Sequence, residues 1–414
     1  MTSETSVAAS PNPSSIPRLE WGARAIMLLG GLMVALALGA INSVLPQIQA
    51  ELAHGPKDSL LIKQLVGIVG LSMVIGAPMA GLLVDRIGAR RVVIAAGLLY
   101  ALAGTAGLYL SGLPALIASR LLLGIAAVSI TTTAMTMINT RFTGVQRAKW
   151  MGAHVGVGMV GSIILNPFAG FLGEFGWRWP FALYAIGLPF GLLALGLDRR
   201  ITPRVQTTAS SANKEPGLLT WFPKRYAGLA LIIGSITYLP MVYLPFLMRQ
   251  MGVTSPTIIS LVLTGDVALG AGVAMLYGKS RRYLSIYGAF AFSFAFAGIG
   301  MTVVALASNI ITATLGMMLF GIGLGWFVPN LMTAVAQQVQ IEHQGRAVGW
   351  VKGAHHLAAP LCIVLVEPFA RRVGPQGAMM ASAALAFCLM ILMSYKMAAG
   401  RQRDSSAALV PRNL

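Results

Sequence analysis

From about residue 24 to residue 397 the chain alternates between long apolar runs and short polar breaks. A helix of about 20 apolar residues crosses the ~30 Å hydrocarbon core of a bilayer. Twelve runs meet that length and predict membrane helices: 24–46, 64–84, 92–111, 114–138, 149–172, 180–197, 226–248, 256–278, 284–306, 309–334, 347–368 and 376–397. The longest interior polar stretch, 198–225, divides them six and six. The pattern therefore predicts an all-α integral membrane protein with 12 transmembrane helices in two six-helix halves, 21–197 and 226–397. A Ser-, Thr- and Pro-rich segment (1–20) precedes them, expected to be disordered, and a polar tail (398–414) follows. That leading segment lacks a basic stretch followed by a short apolar one, so the first span is expected to be retained.

The halves are related in sequence. Arg147-Ala-Lys-Trp150-Met-Gly152-Ala-His154 returns as Arg346-Ala-Val-Gly-Trp350-Val-Lys-Gly353-Ala-His355. Gly81, Arg90 and Arg91 return as Gly272, Arg281 and Arg282, while Leu276 stands where the first copy has Asp85. Two matches at nearly one offset point to duplication.

Composition and charge narrow the reading. The chain is 56% hydrophobic and 10% charged, whereas soluble domains carry roughly 25% charged residues. Its net charge of +18 invites nucleic acid as a partner, but the basic residues sit in short loops with no basic stripe or stacking set, so none is expected. Of the 30 Lys and Arg, 22 fall on one side of the predicted topology and six on the other (Lys57, Lys63, Arg178, Arg249, Arg371, Arg372), with Arg120 and Lys352 inside spans. The positive-inside rule then puts both termini in the cytoplasm. Cys362 and Cys388 both lie in apolar runs and mark neither a disulfide framework nor a metal site.

Within the spans, Asp266 stands near the centre of the eighth. An acid at that depth costs ~2.5–3.5 kcal/mol on insertion scales and marks function by default. Proton coupling is one role; a structural pair with Arg120 or Lys352 is the other. His154, His355 and His356 offer a proton relay, set against the commoner interfacial histidine. No phosphate loop, His-Glu-x-x-His, nucleophile elbow or paired carboxylates occur, so neither an enzyme nor a cofactor nor a metal is expected.

The string Gly81-Leu-Leu-Val-Asp85-Arg86-Ile-Gly88-Ala-Arg90-Arg91 resembles the loop 2–3 signature of the major facilitator superfamily, G-x-L-x-D-R-x-G-R-[RK], with Ala89 in place of a basic residue. Arg120-Leu-Leu-Leu-Gly124 is similar to that family's fourth-span element, and Gly176-Trp-Arg-Trp-Pro-Phe181 to its junction between spans five and six. Leu45-Pro46 and Gly321-Ile-Gly-Leu-Gly325 with Pro329 fit the family's first and tenth spans, and the likeness runs over residues 20–400. Asn166-Pro167-Phe-Ala-Gly170-Phe171 matches only half of the fifth-span motif frequent in exporters.

The resemblance implies two halves rocking about a central site. Spans 1, 4, 7 and 10 would line the cavity, and spans 2, 5, 8 and 11 would join the halves. On that basis Asn42, Arg120, Thr132, Met135, Tyr238, Tyr243, Trp326 and Asn330 are the substrate-cavity candidates, and Asp266, His355 and His154 the proton-coupling ones. Gly81, Asp85, Arg86, Gly88, Arg90 and Arg346 form the candidate conformational gate, with Asp85 facing the start of the eleventh span. The implied function is proton-coupled export of small hydrophobic or amphipathic molecules by a monomer in the lipid bilayer of a bacterial inner membrane. Proton-coupled uptake of an organic anion is the alternative, and a non-transporting sensor on the same scaffold a further one.

Overall fold

The computed structural model describes residues 20–197 and 224–408. The expectations for the leading segment, for the linker from 198 to 223 and for the tail beyond 408 lie outside the described residues.

Twelve helices among the described residues are long and apolar enough to cross a membrane: α1 (Trp21–Leu52), α2 (Pro56–Ile87), α3 (Ala89–Leu108), α4 (Leu113–Arg141), α5 (Gly144–Gly173), α6 (Trp179–Gly196), α7 (Lys224–Gln250), α8 (Pro256–Ser280), α9 (Ile286–Ala305), α10 (Ile310–Gln338), α11 (Arg346–Val373) and α12 (Pro375–Ala399). Several begin on punctuation that the sequence supplies. Proline occupies the first turn of α2, α4 and α8, where its missing N–H is no loss. Ser255, Ser285 and Asn309 cap α8, α9 and α10 by accepting a backbone N–H. Helices overrun the apolar cores. α2 starts at Pro56, so Lys57 and Lys63 belong to it rather than to a loop, and the last helix runs on to Ala408, into the expected tail.

Local breaks match particular residues. α1 is interrupted by a 3-10 turn at Asn42–Val44. Gly88 adopts φ +84°, a conformation that glycine alone enters freely, and turns α2 directly into α3. At the Gly-Trp-Arg-Trp-Pro-Phe junction, Arg178 donates to the carbonyls of Gly107 (3.2 Å) and Leu110 (2.7 Å), and the Trp177 indole donates to Glu51 at 2.6 Å.

Packing repeats with a shift of six helices. α1 packs on α5 as α7 does on α11; α2 on α4 as α8 on α10; α3 on α6 as α9 on α12. The sequence repeat superposes on this symmetry. A β-carbon on Gly31 would meet the carbonyl of His154 at 2.6 Å, and one on Gly234 that of His355 at 2.4 Å. Both histidines thus sit where a neighbouring helix approaches through glycine.

The halves meet through α2 on α11 and α5 on α8. Contact is dense at the end bearing the starts of α2 and α8. There Gly67 faces Pro360, Gly70 faces the His356 carbonyl, and Gly170 faces Pro256 and Ser260, all too closely for a β-carbon. Toward the opposite end, which carries Arg86, Arg90, Arg147, Lys279 and Arg281, the same four helices show open space around Gly81, Gly152, Gly272 and Gly349. The halves are tied at one end and parted at the basic one.

Candidate functional site

Two buried acids lie on the helices that join the halves, in opposite surroundings. Asp266 is on α8 and 8% exposed. Gly321 of α10 lets the backbone close onto it: a β-carbon there would meet the Asp266 carbonyl at 2.3 Å. Its Oδ1 accepts the backbone N–H of Val267 at 2.7 Å, and no ion pair among the described residues includes it. Neither Arg120 nor Lys352 is its structural partner. By the repeat that pairs Gly81 with Gly272, the first half carries Ile75 at this place. The acid is a departure from the internal symmetry.

Glu367, on α11, is the group that sequence reasoning missed. Its Oε2 accepts from Lys63 Nζ of α2 at 2.6 Å and from the Tyr243 hydroxyl of α7 at 2.9 Å, and its Oε1 from Arg371 Nε at 3.0 Å. Lys63 also sits 5.0 Å from the Tyr243 ring centre and 5.3 Å from that of Phe246. Arg371 continues to the Pro56 carbonyl at the start of α2. The signal was present as one acid at the margin of an apolar run, but its partner is 304 positions away. Tyr243 was expected in the substrate cavity; it closes this network instead.

A second tie sits at the same end, related by the pseudo-symmetry. Glu174, following α5, accepts from the Thr257 hydroxyl (2.7 Å), the Thr257 N–H (3.1 Å) and the Ser255 hydroxyl at the start of α8. Burial pushes its carboxyl upward, and those hydrogen bonds together outweigh that, leaving it below the usual carboxylate range.

The other expected residues divide into three groups. Arg120 is 1% exposed, and its guanidinium donates to the carbonyls of Leu65 and Ala37 and to the Tyr184 hydroxyl. It therefore braces α1, α2 and α6 against α4, and its donors point into the first half rather than toward a ligand. His154 Nδ1 pairs with the Met27 carbonyl at 2.8 Å, and His355 bonds the backbone of Ala230, the matching place in the second half. The symmetry gives both rings a bracing position. Trp326 donates to the Val273 carbonyl, and Asn330 bridges the Tyr277 hydroxyl and the Ile286 carbonyl, so both face α8 and α9.

The remaining candidates sit in varied surroundings. The Tyr238 hydroxyl meets His356 Nδ1 at 2.8 Å, and Tyr238 also lies against the His355 ring. Lys352 is exposed. Thr132 and Met135 are half-buried. The Asn42 side-chain oxygen, at the break in α1, is buried with no partner. At the basic end Asp85 and Arg86 are exposed, Gly88 is buried in its turn, and Arg90 is half-buried. No ion pair among the described residues joins Asp85 to Arg346. Among the described residues no group of three His, Cys, Asp or Glu is placed to hold a metal.

Comparison with known proteins agrees with this architecture. A family model described as Major Facilitator Superfamily matches residues 27–359. The methyl viologen resistance protein SmvA of Salmonella typhimurium is 29% identical over 187 residues, which are 45% of this chain and 37% of that protein. The puromycin resistance protein pur8 of Streptomyces alboniger is 29% identical over 208 residues, 49% of this chain and 39% of that protein. The chain thus spans under two fifths of the length of these relatives. A crystal structure of a D-xylose–proton symporter superposes with a TM-score of 0.70, covering 90% of this chain and 95% of that one at 18% identity, a likeness of fold alone.

Proposed function

The chain belongs to the Major Facilitator Superfamily and is an integral membrane secondary transporter of the alternating-access type, and from that premise we propose that it expels amphipathic organic molecules in exchange for protons, with Asp266 carrying the proton. The observation that carries this reading is an acid buried within a span with no basic partner among the described residues. A carboxylate anion there lacks both water and counter-ion, so it is costly unless neutralised. A group that is neutral when enclosed and ionised when wetted is what exchange with a proton gradient needs. The relatives named for methyl viologen and puromycin resistance support export.

In this reading the basic end faces the cytoplasm, in keeping with the charge bias of the loops, and both termini lie there, in the inner membrane of a bacterium. The arrangement described is then the inward-facing one, closed outside by the Lys63–Glu367 and Glu174–Thr257 ties. Substrate enters between the halves past Lys352, His356, Tyr238, Thr132, Met135 and Asn42. The complementary state closes the basic end by bringing Asp85 to the start of α11, near Arg346. Each monomer holds both halves and so the whole pathway.

The test is reconstitution into liposomes with an imposed pH gradient, challenged with a mixed compound library and read by mass spectrometry. Gradient-dependent movement of amphipathic compounds is expected. Movement of sugars or anions alone, or movement indifferent to the gradient, contradicts the reading.

A further inference from the structure

One cavity lies between the halves on the tied end, with a volume of about 740 Å³. That is within the range of ~300–1,000 Å³ in which small-molecule sites fall. The ends of α1, α7 and α11 and the starts of α2 and α12 form its wall, and three cations line it: Lys63, Arg249 and Arg371. No Asp or Glu is among its lining residues. Glu367 neutralises part of that charge from behind, since its side chain is only 3% exposed and turned to Lys63, Arg371 and Tyr243.

The other acids at this end are engaged elsewhere. Glu51 holds Trp177 and Arg178, Asp58 accepts the His54 N–H, and Glu174 accepts from Ser255 and Thr257. No ion pair among the described residues includes Arg249. The cavity therefore presents a positive surplus, with guanidinium forks suited to planar carboxylates and aromatic surface from Tyr243 and Phe246 beside them.

We propose that this cavity binds a small organic anion carrying one or two carboxylates, held by Arg249 and Arg371 with Lys63 at its inner wall. An amphipathic cation is repelled here in this closed arrangement, so the site differs from the entry space at the basic end. It depends neither on transport direction nor on Asp266, so the failure of either reading leaves the other standing. Occupancy also has a structural consequence: an anion that draws Lys63 toward the cavity weakens its hold on Glu367, and with it the closure of this end.

The test is calorimetric titration of the purified full chain, in phosphatidylcholine nanodiscs, with phthalate and with its uncharged dimethyl ester. Saturable phthalate binding is expected, with the ester weaker by at least about tenfold. Arg249→Gln, an exposed position, is expected to lower phthalate affinity by a similar factor with an unchanged melting temperature. Equal binding of acid and ester, unchanged affinity in Arg249→Gln, or no saturable binding at millimolar phthalate would overturn the proposal. Discs containing phosphatidylglycerol separate the remaining source of anionic chemistry. Phthalate binding that persists there supports a soluble anion; its displacement by the lipid makes this a headgroup pocket and overturns the assignment.

Discussion

Asp266 and Glu367 show how little an acid's identity says about its role inside a membrane. Glu367 has Lys63, Arg371 and Tyr243 around it and forms a stable ion pair; Asp266 has none of these. Only the second was legible in the sequence, because a single acid amid twenty apolar residues is conspicuous. Glu367 stands where an apolar run ends, and single-sequence reading has no means to pair it with a lysine on another span. Arg120 was legible as unusual, but its carbonyl partners emerge only when α1, α2 and α4 are packed together. Lys63 is the buried partner of Glu367, and without it the carboxylate keeps only the half-exposed Arg371, a loss of up to about 3 kcal/mol. Lys63→Met is therefore expected to lower the thermal stability of the detergent-solubilised protein, and adding Glu367→Gln to restore part of the loss. Equal melting temperatures for the single and double variants would contradict the pairing. Arg120→Met is expected to destabilise by about 2–4 kcal/mol through lost charged hydrogen bonds while leaving substrate affinity intact; a selective affinity loss at unchanged stability would instead make Arg120 a ligand.

At the level of helices, apolar length alone located all twelve spans, because the bilayer imposes one requirement on each of them. It did not locate their ends: α2 extends eight residues beyond the predicted start at 64, since a helix persists past the hydrocarbon once its first turn is capped or begins with proline. It also left open which helices touch, since that depends on glycine faces such as those of Gly70 and Gly170. These faces make the tied end sensitive to bulk. Gly170→Leu would drive a side chain into Pro256 and Ser260 and is expected to raise cysteine labelling of this end from outside; unchanged labelling would show that α5 and α8 do not form the seal. The seal also carries a pH signature. The lowered carboxyl of Glu174 stabilises the tied end above the ordinary carboxylate pKa, near ~4.3, and that contribution is lost as pH falls through its lower folded value. Spin labels at Phe175 and Thr254 should separate on such acidification, and should show no pH-dependent change when Glu174→Gln is added.

For the molecule as a whole, the internal repeat was the strongest architectural signal, and the structure gives it a physical basis. His154 against Gly31 and His355 against Gly234 occupy matching positions, so the recurring motif preserves a packing contact in both halves. In the proposed function the working residues stand where the repeat fails: Asp266 opposite Ile75, and Asp85 opposite Leu276. Asp85→Ala removes the acid available to close the basic end and is expected to shift the population further toward the inward-facing state, seen as increased labelling from the cytoplasmic side. The central claim, that Asp266 couples transport to protons, is tested most directly by gradient-driven flux of an amphipathic cation such as ethidium in liposomes, comparing the native protein with Asp266→Asn. The account predicts that the variant loses accumulation driven by a pH gradient while still exchanging substrate at equal pH on both sides. Accumulation by Asp266→Asn at the native rate would contradict it.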